Sequence, residues 1–184
     1  MAGPVLHDAV TLNHFGAVGR MDVLEVRHGN CELPRWAQAV AEEVKEGALQ
    51  GYSHCKAVMR ANWLGQPAEI APEDSEVFYR LWVGLNDGKS PPEKHKGEAQ
   101  SIFFAEREGG MFVTDDSGAY DFARRRPLMM MGKVKDSIEV LRIAVSAGEL
   151  TKEEAFDLVQ KMECEGRHFR AEHQGKIAPQ YFVL

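Results

Sequence analysis

Apolar residues along this chain come in two textures: short unbroken runs, and longer stretches where they recur every three or four positions. Val5-Leu6 and Met111-Phe112-Val113 are of the first kind. Each reads as a buried strand running into carboxylates, Asp8 in one case and Asp115-Asp116 in the other. The second texture predicts helices. Val10, Phe15, Ala17 and Val18 follow Asp8 and define a short helix limited by Gly16 and Gly19, while residues 21–26 fit either a helical turn or the approach to a second strand. Trp36, Val40 and Val44, flanked by Ala37 and Ala41, share one helical face, with Pro34 suited to the first turn and Gly47 to the stop. Val77, Phe78, Leu81, Trp82 and Leu85 form a wide apolar face behind the acidic turn Pro72-Glu73-Asp74, and Asn86-Asp87-Gly88 ends that helix.

Between these helices, residues 51–65 carry little periodicity beyond the half-buried Ala57-Val58-Met59 and Trp63-Leu64, and Ala68-Glu69-Ile70 reads as an edge strand. Residues 89–96, with two prolines and three lysines, read as an exposed loop. A helix begins at Gly97-Glu98, turning Ala99, Ile102, Phe103 and Ala105 to the core and Glu106, Arg107 and Glu108 to solvent. Ala119, Phe122 and Ala123 mark a further short helix that Pro127 stops, and the apolar run from Leu128 to Met131 reads as a core strand. Val134, Ile138, Leu141 and Val145 predict a helix ending before Gly148, and Thr151 with Glu154 forms a capping box for the last helix.

Short apolar strands alternating with helices predict an α/β domain in three α/β/α layers with a short central parallel sheet. Ligands of such sheets gather beyond the carboxyl ends of the strands, where Asp8 and Asp115-Asp116 fall. Taken singly, every acid of interest has a structural explanation. Asp8 and Asp116 suit helix caps, Asp115 a solvated turn, Glu43 a solvated helix face, and Glu98 the dipole-favoured first turn. Glu42 and Glu43 are adjacent and about 100° apart on their helix, so one of them faces a given site; Glu43, next to the apolar Val44, is the better candidate.

Charge narrows the chemistry. With 28 acidic and 22 basic residues the net charge is −6, so bulk attraction does not coat this protein with nucleic acid. Any such contact needs a local basic surface or bound cations; Arg124, Arg125, Arg126 and Lys133 are the candidates, with Lys94, Lys96 and Lys135. Tyr120 is a possible stacking ring. The three cysteines are scattered, and the pairs His28/Cys31 and Cys164/His168 lack the matching second pair of a zinc site. No stretch has the length of a membrane span, and the expectation is a soluble, cytoplasmic protein.

In order and spacing, several segments resemble the PIN-domain nucleases, VapC-type toxins among them. Val5-Leu6-His7-Asp8-Ala9-Val10 followed by Gly19-Arg20-Met21-Asp22-Val23-Leu24 is similar to the opening strand, first acid and following turn of that family. Val40-Ala41-Glu42-Glu43-Val44 resembles the helix of the second acid, Gly97-Glu98-Ala99-Gln100-Ser101 the third, and Val113-Thr114-Asp115-Asp116 the fourth. Residues 132–150, with Leu141, Ala144 and Gly148, resemble a downstream segment of one subgroup. The expected organisation is a PIN-like domain over residues 1–166 and a C-terminal extension, residues 167–184, packed on the domain or on a partner.

The resemblance implies an endoribonuclease that hydrolyses RNA with Mg²⁺ or Mn²⁺. Asp8, Glu98 and Asp116 become metal ligands, Glu98 directly or through water, with Asp115 the alternative fourth acid. Glu43 becomes a water-orienting base or outer carboxylate, and Thr114 a hydrogen-bonding partner of a ligand carboxylate or of the attacking water. It further implies a homodimer and a small antitoxin partner. Departures from the family pattern are His7, in place of an aliphatic residue, the polar pair Asn13-His14 in the first helix, and Glu98 where many members carry Asp. A non-cutting scaffold and a nuclease acting on DNA are the alternatives.

Overall fold

The fold is that of a computed structural model describing residues 3–28, 35–92, 94–130 and 132–182. Cys31, Pro34 and Met131, named above, and the last two residues of the C-terminal extension lie outside the described residues. Strand β1 (Val5–His7) leads into α1 (Ala9–Ala17), followed by α2 (Met21–His28), α3 (Gln38–Leu49), α4 (Ser53–Met59), α5 (Ser75–Leu85) and α6 (Lys96–Arg107). Then come β2 (Met111–Val113), α7 (Ser117–Arg124), β3 (Val134–Lys135), α8 (Ser137–Ser146) and α9 (Lys152–Cys164). Among the described residues the sheet has the order β1-β2-β3 and is wholly parallel, with Leu6 opposite Phe112 and Phe112 opposite Val134.

Alternation along these strands produces the layers. Leu6, Phe112 and Val134 join Phe78 and Leu81 of α5, Ile102 of α6, and Ala119 and Ala123 of α7 in one cluster. Val5 and Val113 join the opposite cluster, which holds Leu12 and Phe15 of α1, Leu24 of α2, Ile138 and Leu141 of α8, and Leu158 of α9. Both faces of the sheet are therefore covered, as a parallel sheet requires. Residues beyond α9 share the second cluster through Phe169 and Phe182, while Arg170 and His173 reach the buried Asp136 at 3.1 and 2.7 Å. His7, fully buried at the end of β1, has both ring nitrogens without a hydrogen-bond partner among the described residues. Burial, then the neighbouring His28 and Arg35, push its pKa well below the usual imidazole value, which keeps it neutral.

The register of four segments departs from the periodicity. The run from Leu128 to Met131 is no core strand. Pro127 opens a 3₁₀ turn, Pro127–Met129, that buries Met129 and leaves Leu128 and Met130 at 60% and 50% exposure. The strand is instead Val134–Lys135, and α8 starts three residues later than the spacing suggests, because Asp136 caps it in a reciprocal box with Glu139. Val77 lies outside the apolar contact of α5 and is 60% exposed. Gly47 does not stop α3, which runs to Leu49; a Cβ at Gly47 would meet Cys55 Sγ at 2.6 Å, so this glycine admits α4.

Phe112 lies on the central strand with no exposed surface. Phe112→Ala is expected to cost about 3–5 kcal/mol of unfolding free energy, whereas Leu128→Ala, on the exposed turn, stays within about 0.5 kcal/mol. Urea unfolding followed by circular dichroism measures both.

Candidate metal centre

Parallel strands end on one edge of the sheet, and in this chain acids follow the strands there. Asp8 follows β1 and caps α1, its Oδ1 accepting the Thr11 amide at 2.7 Å. Asp116 follows β2 and caps α7, accepting the Ala119 amide at 2.7 Å. Both caps leave lone pairs unused, since a carboxylate offers about four acceptor positions. Thr114 joins the two: its hydroxyl donates to Asp8 Oδ2 and accepts the Asp116 amide at 3.1 Å.

The third acid comes from α6, whose approach to α3 is set by two contacts. Gly97 has no side chain where a Cβ would lie 2.9 Å from Val40 Cγ2. Gln100 Oε1 accepts the Ala39 amide at 2.8 Å, satisfying a donor in the first turn of α3, a helix with no side-chain cap of its own. This docking brings Glu43 of α3 near Glu98 of α6. The Glu43 carboxyl is pushed above the ordinary value by burial first, then by the charges of Glu98 and Glu46. Glu42 points elsewhere, accepting the Gln38 amide group at 2.9 Å on the exposed face.

Glu98, Asp116 and His95 each offer a donor atom, and the three atoms lie within 4.8 Å of one another. His95 was hidden in the sequence inside a stretch that reads as an exposed loop; its only signal is the three-residue spacing to Glu98. Asp8, a predicted ligand, is not among these three; it is joined to Asp116 through Thr114 and is 2% exposed. Burial, ahead of the repulsion from Asp115, holds its pKa well above the usual range despite the Thr114 and Thr11 hydrogen bonds.

Asp115 is no solvated turn residue. It is buried and accepts Ser137 through both hydroxyl and amide, the Thr11 hydroxyl at 3.2 Å, and lies 3.2 Å from His14 Nδ1. Burial alone would raise its pKa, but His14 and Ser137 outweigh that and hold it below the ordinary value. His14, odd as a polar residue in a buried helix, is thus explained by Asp115, and Asn13 by the Cys55 thiol that donates to it at 3.4 Å. Ser137 and Thr11 carried no signal in the sequence.

The basic candidates divide. Lys96 and Lys94 are exposed on and just before the first turn of α6, close to Glu98. Arg124 and Arg125 are exposed at the far end of α7, about 12 Å from its Asp116 cap at 1.5 Å per residue. Arg126 is held by Glu106 through paired contacts of 2.5 and 2.7 Å, and Lys135 by Glu139 at 3.4 Å. Lys133 precedes β3 at the opposite edge of the sheet, beside Gly3 and Met111. Tyr120 is buried, its hydroxyl donating to Glu139 at 3.1 Å, with Arg170 over its ring.

Glu98 and Asp116 meet at this edge, Glu43 feels the charge of Glu98, and Asp8 is joined to Asp116 through Thr114; of these, the carboxyls of Glu43 and Asp8 are pushed toward the neutral form. A divalent cation would relieve that repulsion, so the residues present fit such a group. The architecture and this edge together define an α/β/α domain with an acidic centre at the carboxyl ends of its strands. A family model described as PIN domain matches residues 4–180, and the chain belongs to the PIN-domain family. PIN domains are generally nucleases, hydrolases that usually use divalent metals. No curated protein and no solved structure matches the chain. No helix among the described residues is long and apolar enough to cross a membrane.

The two buried acids should titrate with opposite signs. Asp8 has a folded-state pKa above its unfolded value, so its ionisation costs stability at neutral pH and costs nothing once both states are protonated. Asp8→Asn keeps a capping oxygen and is expected to raise the urea midpoint of metal-free protein near neutral pH, the gain vanishing below about pH 4. Asp115, with a lowered pKa, contributes stability above the unfolded value and loses it as pH falls through the folded one. Asp115→Asn is accordingly expected to lower the midpoint near neutral pH, and less so in acid. Urea titrations in EDTA across pH measure both.

Proposed function

We propose that this protein is a Mg²⁺- or Mn²⁺-dependent endoribonuclease of the PIN family, acting as the toxin of a toxin–antitoxin pair. The observation that carries the nuclease reading is the gathering of Glu98 and Asp116 within 4.8 Å, with Thr114 linking Asp116 to Asp8. The segments around Asp8, Glu43, Glu98 and Asp116, which resemble VapC-type toxins, support the narrower reading, while the family match over residues 4–180 supports the PIN-domain reading.

Glu98 and Asp116 would hold the cation, with Asp8, joined to Asp116 through Thr114, as a further carboxylate ligand. When bound, a divalent cation neutralises charge on the phosphodiester and eases ionisation of the attacking water. Glu43, its pKa raised by burial and by the charge of Glu98, is suited to take a proton from that water. Thr114 fixes the geometry: its one hydroxyl holds the Asp8 carboxylate and the Asp116 amide together. Lys94 and Lys96, exposed near Glu98, and Arg124 and Arg125, exposed at the far end of α7, would supply the cationic surface that an acidic protein needs for a polyanion. The small antitoxin would cover this same edge of the sheet, and a homodimer would present two such edges.

Cleavage of single-stranded and structured RNA with Mn²⁺ tests the reading. Activity is expected to vanish in EDTA and to fall about 100-fold or more in Asp116→Asn and in Glu98→Gln. Cleavage of single-stranded DNA at the same rate would move the substrate to DNA. Mn²⁺ binding without cleavage of either would leave a scaffold.

A further inference from the structure

We propose that His95 is a nitrogen ligand of the same cation, biasing the centre from Mg²⁺ toward first-row transition ions, Mn²⁺ included. This rests on the metal-dependent reading above and sharpens it. One donor atom each of His95, Glu98 and Asp116 lies within 4.8 Å of the others, and His95 Nδ1 is 3.5 Å from Glu98 Oε1. Around an octahedral ion with bonds of about 2.1 Å, neighbouring donors sit on the order of 3 Å apart and opposite ones about 4.2 Å. The trio already approaches that spacing. As an ion pair the contact is poor, because charge-assisted hydrogen bonds run to about 2.7–2.9 Å.

The backbone around His95 is built to hold it there. His95 adopts a left-handed conformation with φ 61 and ψ 28, uncommon for a residue with a side chain. It is held in that conformation from both sides. On its amino side, the Lys94 carbonyl accepts Asn86 Nδ2 at 2.9 Å and Trp82 Nε1, and the Lys94 amide donates to Asn86 Oδ1 at 3.3 Å. On its carboxyl side, the His95 carbonyl accepts the Ala99 amide at 2.9 Å, the first turn of α6. The end of α5 therefore clamps the loop immediately before His95, and α6 begins immediately after it. The side chain is half-buried, beside the less exposed Glu98, and is left facing the two carboxylates.

The chemical consequence follows from donor type. Mg²⁺ prefers oxygen ligands and retains water, whereas imidazole nitrogen favours first-row transition ions over Mg²⁺. An all-carboxylate centre discriminates weakly between Mg²⁺ and Mn²⁺. Replacing one oxygen with an imidazole strengthens Mn²⁺ selectively.

Pulsed electron paramagnetic resonance of Mn²⁺-loaded full-length protein tests this without enzyme activity. Nitrogen modulation on the Mn²⁺ signal that changes when histidine is labelled with ¹⁵N is expected in the unsubstituted protein, and its loss is expected in His95→Asn, a substitution that tolerates the left-handed conformation. By calorimetry, His95→Asn is expected to weaken Mn²⁺ about tenfold while leaving Mg²⁺ within about twofold. Absence of histidine nitrogen coupling in the unsubstituted protein overturns the proposal whatever the variant does. So does an equal loss for both ions in His95→Asn. Mn²⁺ binding that depends on Asp116 but not on His95 overturns this proposal alone, whereas no Mn²⁺ binding at all overturns it together with the metal-dependent reading.

Discussion

Everything at the functional edge follows from one electrostatic constraint: a parallel sheet ends all its strands on one side, and here every strand is followed by an acid. Asp8 follows β1, Asp115 and Asp116 follow β2, and Asp136 follows β3. Carboxylates collected in a partly buried place repel one another and lose hydration, so each must be answered by the protein or by something bound to it. Asp136 is answered by Arg170 and His173, and Asp115 by Ser137, Thr11 and His14. Among the described residues the donors to the Asp8 and Asp116 carboxylates are neutral: the Thr11 amide and the Thr114 hydroxyl to Asp8, and the Ala119 amide to Asp116. Glu98 and Glu43, on α6 and α3, add negative charge without a guanidinium or ammonium paired to them among the described residues. The imbalance is confined to the α6 and α7 side of the edge.

The legible parts of this arrangement are those that local chemistry dictates. β1 and β2 stand out because each is an apolar run stopped by an acid, and α9 because Thr151 and Glu154 cap each other three residues apart in the chain. β3 is lost in the sequence because Val134 lies four residues before Ile138, so a two-residue strand falls into the period of the helix that follows it. The neighbouring run at Leu128 is apolar enough to pass for a strand, yet a proline at its head curls it into a turn whose side chains mostly face water. Periodicity reports which residues are apolar; it does not report where a cap begins a helix.

The site shows the same division. Glu43 over Glu42, and Asp116 as the acid beside Glu98, are matters of helix phase and cap position, which the chain states locally. What Asp115 does is a tertiary fact. Its partners come from α1 and α8, 104 and 22 residues away, and no spacing in the sequence ties His14 or Ser137 to it. His95 was invisible for a related reason. A loop of lysines and prolines has no amphipathic pattern, and only the clamp from Asn86 and Trp82 turns it into a fixed point.

Two trios of potential ligands occur among the described residues, His95 with Glu98 and Asp116, and Asp136 with Glu172 and His173. Spacing alone does not separate them; charge does. In the second trio Arg170 lies 3.1 Å from Asp136 and 3.0 Å from Glu172, and its guanidinium stacks on Tyr120. A cation entering there would have to displace a guanidinium that the two carboxylates and the ring already hold, a loss of charge-assisted bonds with nothing to replace them. That trio is a salt bridge fastening the segment beyond α9 to the end of β3. In the first trio no arginine or lysine is recorded in contact with Glu98 or Asp116 among the described residues, and the lysines nearby extend from its rim. The same sheet edge therefore carries a closed ionic lock on one side and carboxylates without such a lock on the other, and the lock, by consuming Asp136, would leave a cation the place where Glu98 and Asp116 meet.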